Sequence, residues 1–155
     1  HFIMALTGFI KADENAVKSA NNSFSISMGT SPFQHGIEFT VSGFTYKQAE
    51  NDGKVAKDAY LNPILETSVG DLFLSTVLKS RVNSEGKVVT PNGSFNIAVR
   101  ETIAKMSGKS NGEILAAIVG LCKGREIVVE RVPYAAKAKD GRTYAASLVV
   151  LNFKG

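Results

Sequence analysis

Residues 124–153 read GREIVVERVPYAAKAKDGRTYAASLVVLNF, and this stretch decides the fold. Arg125 to Tyr134 alternates with the period of two that sends successive side chains to opposite faces of a strand. Ala138-Lys139-Asp140-Gly141-Arg142 supplies turn chemistry, and Thr143 to Phe153 alternates again, which predicts one long β-hairpin. Ile127 and Val129 fall on one side of it, Val128 and Val132 on the other. The base of the hairpin is therefore expected to be covered on both faces, with the Tyr134–Tyr144 end free. Charge is concentrated in the same region. From Lys123 onward seven Lys and Arg stand against three Asp and Glu, a surplus that equals the net charge of +4 of the whole chain. An anionic partner is expected at this end of the molecule.

Upstream of the hairpin, Ser110-Asn111-Gly112-Glu113 has the spacing of a capping box, with serine at the N-cap and glutamate three residues later. Ile114, Leu115, Ile118, Val119, Leu121 and Cys122 make the following helix apolar almost all round, and Gly124 closes it where a left-handed backbone costs least. A buried helix is thus expected immediately before the hairpin. Ser94 to Met106 reads two ways. Phe95, Ile97 and Val99 alternate like a strand, while Phe95, Val99, Ile103 and Met106 share a helical face; a strand giving way to a helix near Arg100 is expected. Asp71 to Val82 alternates as a strand. Asn83-Ser84-Glu85-Gly86 turns into Lys87–Thr90, and Pro91-Asn92-Gly93 makes a second turn. Ser23–Met28 and Ile37–Val41 read as short half-buried strands, and Gly43 marks a bulge or bend before Phe44 and Tyr46. Lys47 to Lys57 is polar and without a stable period, a loop or short exposed helix. The order is many strands, one late helix, then a strand pair.

A chain of 155 residues with 44% hydrophobic content can bury one core without staples. His1-Phe2-Ile3 precede Met4, the expected natural start, which leaves residues 4–155 as a single domain. The single cysteine, Cys122, excludes an internal disulfide and suits a reducing, cytoplasmic setting. It ends an apolar run, where a buried structural thiol is expected. No apolar run is long enough to span a bilayer, so no membrane partner is expected.

One histidine, His35, beyond the leading residues and one cysteine cannot build a four-ligand zinc site, and no Asp-rich loop has EF-hand spacing. No metal or cofactor is expected. There is no Gly-x-Ser-x-Gly elbow, and His35 beside Gly36 reads as an exposed loop residue, so no enzyme activity is expected. Ser107-Gly108-Lys109-Ser110 has the ending of a phosphate loop, but Ile103 stands where that motif requires its first glycine.

What stands out is the mixing of cations with rings. Arg131, Tyr134, Lys137, Lys139, Arg142 and Tyr144 cluster across the hairpin, with Lys123 and Arg125 at its base. Phe44, Tyr46 and Lys47 repeat the mixture earlier. Single-stranded nucleic acid calls for this combination, because cations follow phosphates while rings stack on unpaired bases. In this reading Arg131, Lys137, Lys139 and Arg142 hold phosphates, and Tyr134, Tyr144, Phe44 and Tyr46 stack. The competing reading pairs Tyr134 with Tyr144 across the strands, packed on the sheet. A reading of another class is a structural or assembly protein, such as a phage virion component, that forms a homo-oligomer through the exposed hairpin.

The passage Gly120-Leu121-Cys122-Lys123-Gly124-Arg125-Glu126-Ile127-Val128-Val129-Glu130, with Tyr134 and Asp140-Gly141-Arg142-Thr143-Tyr144, resembles the late part of OB-fold single-stranded DNA-binding proteins. In that family a helix leads through a Lys-Gly turn into a strand, and a basic hairpin helps to grip the DNA. The resemblance covers residues 110–153. It implies a mostly β, OB-like Greek-key barrel of five or more strands with one buried helix, single-stranded DNA binding of low sequence specificity, and a role in DNA replication. The bacterial members carry an acidic C-terminal tail, whereas this chain runs to Phe153-Lys154-Gly155. A divergent, phage-encoded version without tail-mediated recruitment is what the resemblance implies.

Overall fold

The computed structural model describes residues 31–48, 50–51, 54–55 and 61–155. Its strands are β1 (Glu38–Phe39), β2 (Val41–Gln48), β3 (Glu50–Asn51), β4 (Lys54–Val55), β5 (Leu61–Thr67), β6 (Gly70–Phe73), β7 (Arg81–Val82), β8 (Val88–Val89), β9 (Ile127–Lys137) and β10 (Thr143–Phe153). The helices are α1 (Leu74–Leu78), α2 (Ser94–Lys105) and α3 (Asn111–Leu121). The protein is mostly β, with two three-stranded sheets, β1-β9-β10 and β2-β5-β6, and two small strand pairs, β3-β4 and β7-β8. All pairings among the described residues are antiparallel. The described sheets do not close into a barrel, and among the described residues three helices stand where one was expected. The expected strand Ser23–Met28 lies outside the described residues.

The chain from Glu38 to Gln48 runs through both main sheets. β1 pairs with β9; after Thr40 the chain continues as β2 against β5. At the crossing, Ser68 binds Thr40 twice: its Oγ accepts the Thr40 N–H at 3.0 Å and its N–H donates to the Thr40 carbonyl at 3.0 Å. The register slips between Val41 and Gly43, so Gly43 does sit at a bulge. Where a loop or short exposed helix was expected at Lys47–Lys57, the described residues are strand: β2 runs on to Gln48, and β3 pairs with β4. Period alone missed it, because Lys47 to Lys57 shows no stable apolar alternation for a strand reading to follow.

The C-terminal hairpin forms as read, in unbroken register from Thr143 opposite Lys137 to Phe153 opposite Ile127. Its odd-numbered face carries Ile127, Val129 and Leu151 into the core. Its even-numbered face is also covered, since Leu148 and Val150 are buried.

Two expectations for the middle of the chain are corrected. Asp71–Val82 is not one strand: it is extended to Phe73, turns into α1, which buries Leu74, Val77 and Leu78, and returns to strand only at Arg81–Val82. Ser94–Met106 is helical from its first residue. Phe95, Val99 and Ile103 are buried at helical spacing, while Ile97, which a strand would have shared with them, is exposed. The decisive feature is polar and local. Gly93 is the N-cap, and its N–H donates to the Asn96 side-chain oxygen at 3.1 Å. That cap fixes the start of the helix, and apolar period alone could not locate it.

α3 begins as expected, with Ser110 Oγ accepting the Glu113 N–H at 3.2 Å. It is less buried than expected. Ile114, Leu115, Ile118 and Cys122 enter the core, but Ala116, Gly120 and Leu121 are exposed. Gly124 carries the left-handed backbone after it, at φ 72°.

Cys122 is a structural thiol, 1% exposed, and donates to the Ile118 carbonyl at 3.3 Å. Burial pushes it up from 9.0 to about 11, against a smaller opposing pull from Arg125. A disulfide reagent at pH 8 is therefore expected to label the native protein at least about a hundredfold more slowly than the urea-unfolded chain. Because the folded state holds the proton more tightly than the unfolded state, stability is expected to fall as pH rises from about 9 toward about 11. Chemical denaturation across that range checks the sign.

Candidate nucleic-acid interface

The outer end of the hairpin is built by its turn. Ala138 N–H donates to the Arg142 carbonyl at 2.8 Å and Gly141 N–H to the Ala138 carbonyl at 3.0 Å. Gly141 adopts φ 88°, a conformation a side chain would strain. Asp140 braces the turn from within: one carboxylate oxygen accepts the Arg142 N–H at 3.1 Å, and the other pairs with Arg142 Nε at 2.6 Å. Lys139 and Arg142 thus leave the turn side by side, with Lys137 opposite Thr143 just below, and all three are exposed.

The tyrosines lie beneath this cationic end. Tyr134 stands opposite Ala146, and Tyr144 opposite Ala136. They are not directly opposed partners; they are diagonal neighbours on one face, separated by alanines that are 3% and 1% exposed. Both rings are half-buried. A small residue opposite each ring leaves room for it to lie across the sheet.

The other predicted residues sit elsewhere. Arg125 stacks its guanidinium 3.5 Å from the centre of the Phe153 ring, and Lys123 is exposed in the α3–β9 turn. β9 has 11 residues. At about 3.4 Å per residue these two cations lie roughly 35–40 Å from the tip, too far to share one compact site with it.

Arg131, midway along β9, is turned onto the 31–37 loop. Its Nε donates to the Phe33 carbonyl at 2.8 Å, and its Nη atoms reach Ser147 Oγ at 3.4 Å and Ser31 Oγ at 3.5 Å. Its backbone N–H donates to His35 Nδ1 at 3.1 Å. Loss of water holds its guanidinium below the ordinary value. This side chain is a clamp for the loop, a role that spacing could not reveal because the partners lie about a hundred residues away in sequence.

Phe44 and Tyr46 lie on the face of β2 that also carries Leu65 and Leu72, and both rings pack against the core. They meet edge to face with centroids 6.2 Å apart, and burial raises the Tyr46 phenol. Lys47 projects from the opposite face and forms an exposed ion pair with Asp71. The structure therefore gathers Tyr134, Lys137, Lys139, Arg142 and Tyr144, and leaves Phe44, Tyr46, Lys47, Lys123, Arg125 and Arg131 outside that cluster.

Sequence reasoning placed the β7–β8 turn at Asn83–Gly86 but not its contact with the hairpin, where Ser84 N–H donates to the Ala135 carbonyl at 2.8 Å. This braces the outer part of β9 from its free side. Among the described residues no three His, Cys, Asp or Glu side chains are placed to hold a metal ion, and no helix is long and apolar enough to cross a membrane. Comparison with protein-family models, curated proteins and solved structures found no match.

Proposed function

We propose that the protein binds single-stranded nucleic acid, DNA in preference, without enzymatic activity and with little sequence preference. The observation that carries this reading is the gathering of exposed Lys137, Lys139 and Arg142 at one end of the hairpin, whose even-numbered face carries the two half-buried tyrosines. Cations held at the end of a rigid hairpin suit the regularly charged backbone of a flexible strand, and ring faces accept any base. The α3 helix is apolar on its inner face and packed in the core, so it does not suit major-groove reading of duplex DNA.

The architecture supports the same reading. β6-β5-β2, continued by β1 onto β9-β10, follows the strand sequence of an OB-like Greek-key barrel left open between β6 and β10. At that seam α2 lies against β10, with Asn96 bonded to both its Val149 carbonyl and its Leu151 N–H.

The test is titration of a fluorescein-labelled oligothymidylate at two salt concentrations. Three phosphates neutralised on a single strand give a log–log slope of about −2, so binding is expected to weaken about twentyfold between about 50 and about 200 mM salt. Lys139→Gln is expected to flatten the slope by about 0.7. Absence of binding at low salt, or binding indifferent to salt, overturns the reading.

A further inference from the structure

The edges of the C-terminal sheet are covered at nearly every position. In β9 the odd-numbered residues point their backbone groups away from β10. Val129 bonds Gly36 and Ile37, Arg131 N–H meets His35, and Ala135 accepts from Ser84. Pro133 has no N–H to present. In β10 the odd-numbered residues again face outward. Leu151 N–H donates to the Asn96 side-chain oxygen at 2.8 Å, and Phe153 N–H to Ser94 Oγ at 2.8 Å. What is left over is Lys137 at the end of β9 and the stretch Thr143–Ser147 of β10. By the same alternation Thr143, Ala145 and Ser147 direct N–H and C=O outward, and no described residue pairs with them.

An open edge is ordinarily blunted by charge, proline or a bulge. Here the edge-facing residues are Thr, Ala and Ser. Ser147 is 8% exposed, so the reachable part is Thr143 and Ala145, both exposed. Small side chains let another backbone come close. The reachable edge begins one residue after Arg142 and lies opposite Lys137, inside the cationic end of the hairpin. A donor row flanked by cations matches an anionic chain.

We propose that the open edge of β10 at Thr143–Ala145 is part of the nucleic-acid contact, its two outward N–H groups donating to phosphate oxygens of the strand held by Lys137, Lys139 and Arg142. The inference rests on the function proposed above and adds a sequence-independent backbone contact to it. Backbone N–H groups commonly bind phosphate in this way and fix the register of a nucleic acid without reading its bases.

The test removes the donor and keeps the charge. Ala145→Pro deletes one outward N–H at an edge position, where proline is tolerated because that N–H makes no bond to β9. The variant is expected to bind the labelled oligothymidylate about tenfold more weakly at fixed salt, with its salt slope unchanged; Lys139→Gln changes the slope. Thr143→Pro provides a second variant of the same kind. Hydrogen exchange on the unaltered protein needs no variant: the Thr143 and Ala145 amides are expected to slow at least tenfold when the oligonucleotide is added. Salt-dependent binding with these amides unprotected and both proline variants unaffected overturns this inference and leaves the proposed function standing. No binding by the unaltered protein removes both. A dimer seen by sedimentation without nucleic acid, and lost in Ala145→Pro, assigns the edge to a second copy of the chain and overturns the proposal.

Discussion

Asn96→Leu is expected to destabilise the fold by about 3–5 kcal/mol, the range associated with leaving several buried polar groups unmatched. Asn96 is fully buried and joins three elements. Its side-chain oxygen accepts the Gly93 N–H at 3.1 Å and the Leu151 N–H at 2.8 Å. Its amide nitrogen donates to the Val77 carbonyl at 2.7 Å and reaches the Val149 carbonyl at 3.5 Å. The side chain thus caps α2, ties it to the end of α1, and completes the edge of β10. Leucine has a similar volume but none of these groups, so little cavity forms and the loss is chiefly one of hydrogen bonding. Urea denaturation is the measurement: the midpoint is expected to fall while the slope stays constant, since the surface exposed on unfolding is little changed. A loss below about 1 kcal/mol, the scale of one ordinary surface substitution, contradicts the role assigned to Asn96. Ser94→Ala is the natural comparison. It removes one exposed bond to Phe153, and about 0.5–1.5 kcal/mol is expected.

The second large effect is at Gly93. Its φ of −65° suits any residue, so backbone conformation is not the reason for glycine. The reason is proximity. A Cβ on residue 93 would lie 2.1 Å from the Leu151 carbonyl oxygen and 2.8 Å from the Asn96 side-chain oxygen. The first obstacle is the backbone of β10, hydrogen-bonded along its length to β9, and cannot swing aside. Gly93→Ala must therefore push α2 away from β10, breaking the contacts that Asn96 makes there. A loss of about 3 kcal/mol is expected, at the upper end for overpacking, or about 6–12 °C in melting temperature for a chain of this size. Because both substitutions disrupt one junction, the double variant is expected to lose clearly less than the sum of the two single losses. Simple additivity would show that the helix cap and the sheet edge are independent. Gly112→Ala, where a Cβ meets nothing, serves as the control and is expected to be neutral or stabilising.

This junction also explains how the sheet of the hairpin avoids an open edge where the two sheets fail to close. A side-chain amide carries a donor and an acceptor, as a peptide group does. Asn96 therefore does for Val149 and Leu151 what a neighbouring strand would do, and Ser94 does it for Phe153. The cover stops before Ser147, and the reachable edge is confined to the same end of the hairpin as the surplus cations.

The sequence by itself determined the long C-terminal hairpin, its turn at Asp140-Gly141, the Gly43 bulge, the Ser110 cap and the burial of Cys122. Each is a local matter: a period of two, a residue able to adopt positive φ, a hydroxyl three residues from an N–H. It also located the charge, because composition needs no fold. Tertiary structure decided the rest. Phe44 and Tyr46 alternate as surface rings could, yet only the pairing of β2 with β5 shows that their face is the one bearing Leu65 and Leu72. Arg131 looks like its cationic neighbours until the 31–37 loop comes down on it from far along the chain. Ser94–Lys105 is ambiguous by period; the local cap between Gly93 and Asn96 starts the helix, and the tie of the same Asn96 to β10 lies more than fifty residues away in sequence. Alternation gives the two faces of an element but not which of them is covered, and a hydrogen bond between distant residues leaves no periodic trace. The outer end of the hairpin was therefore legible in the sequence, and its separation from the other basic and aromatic residues was not.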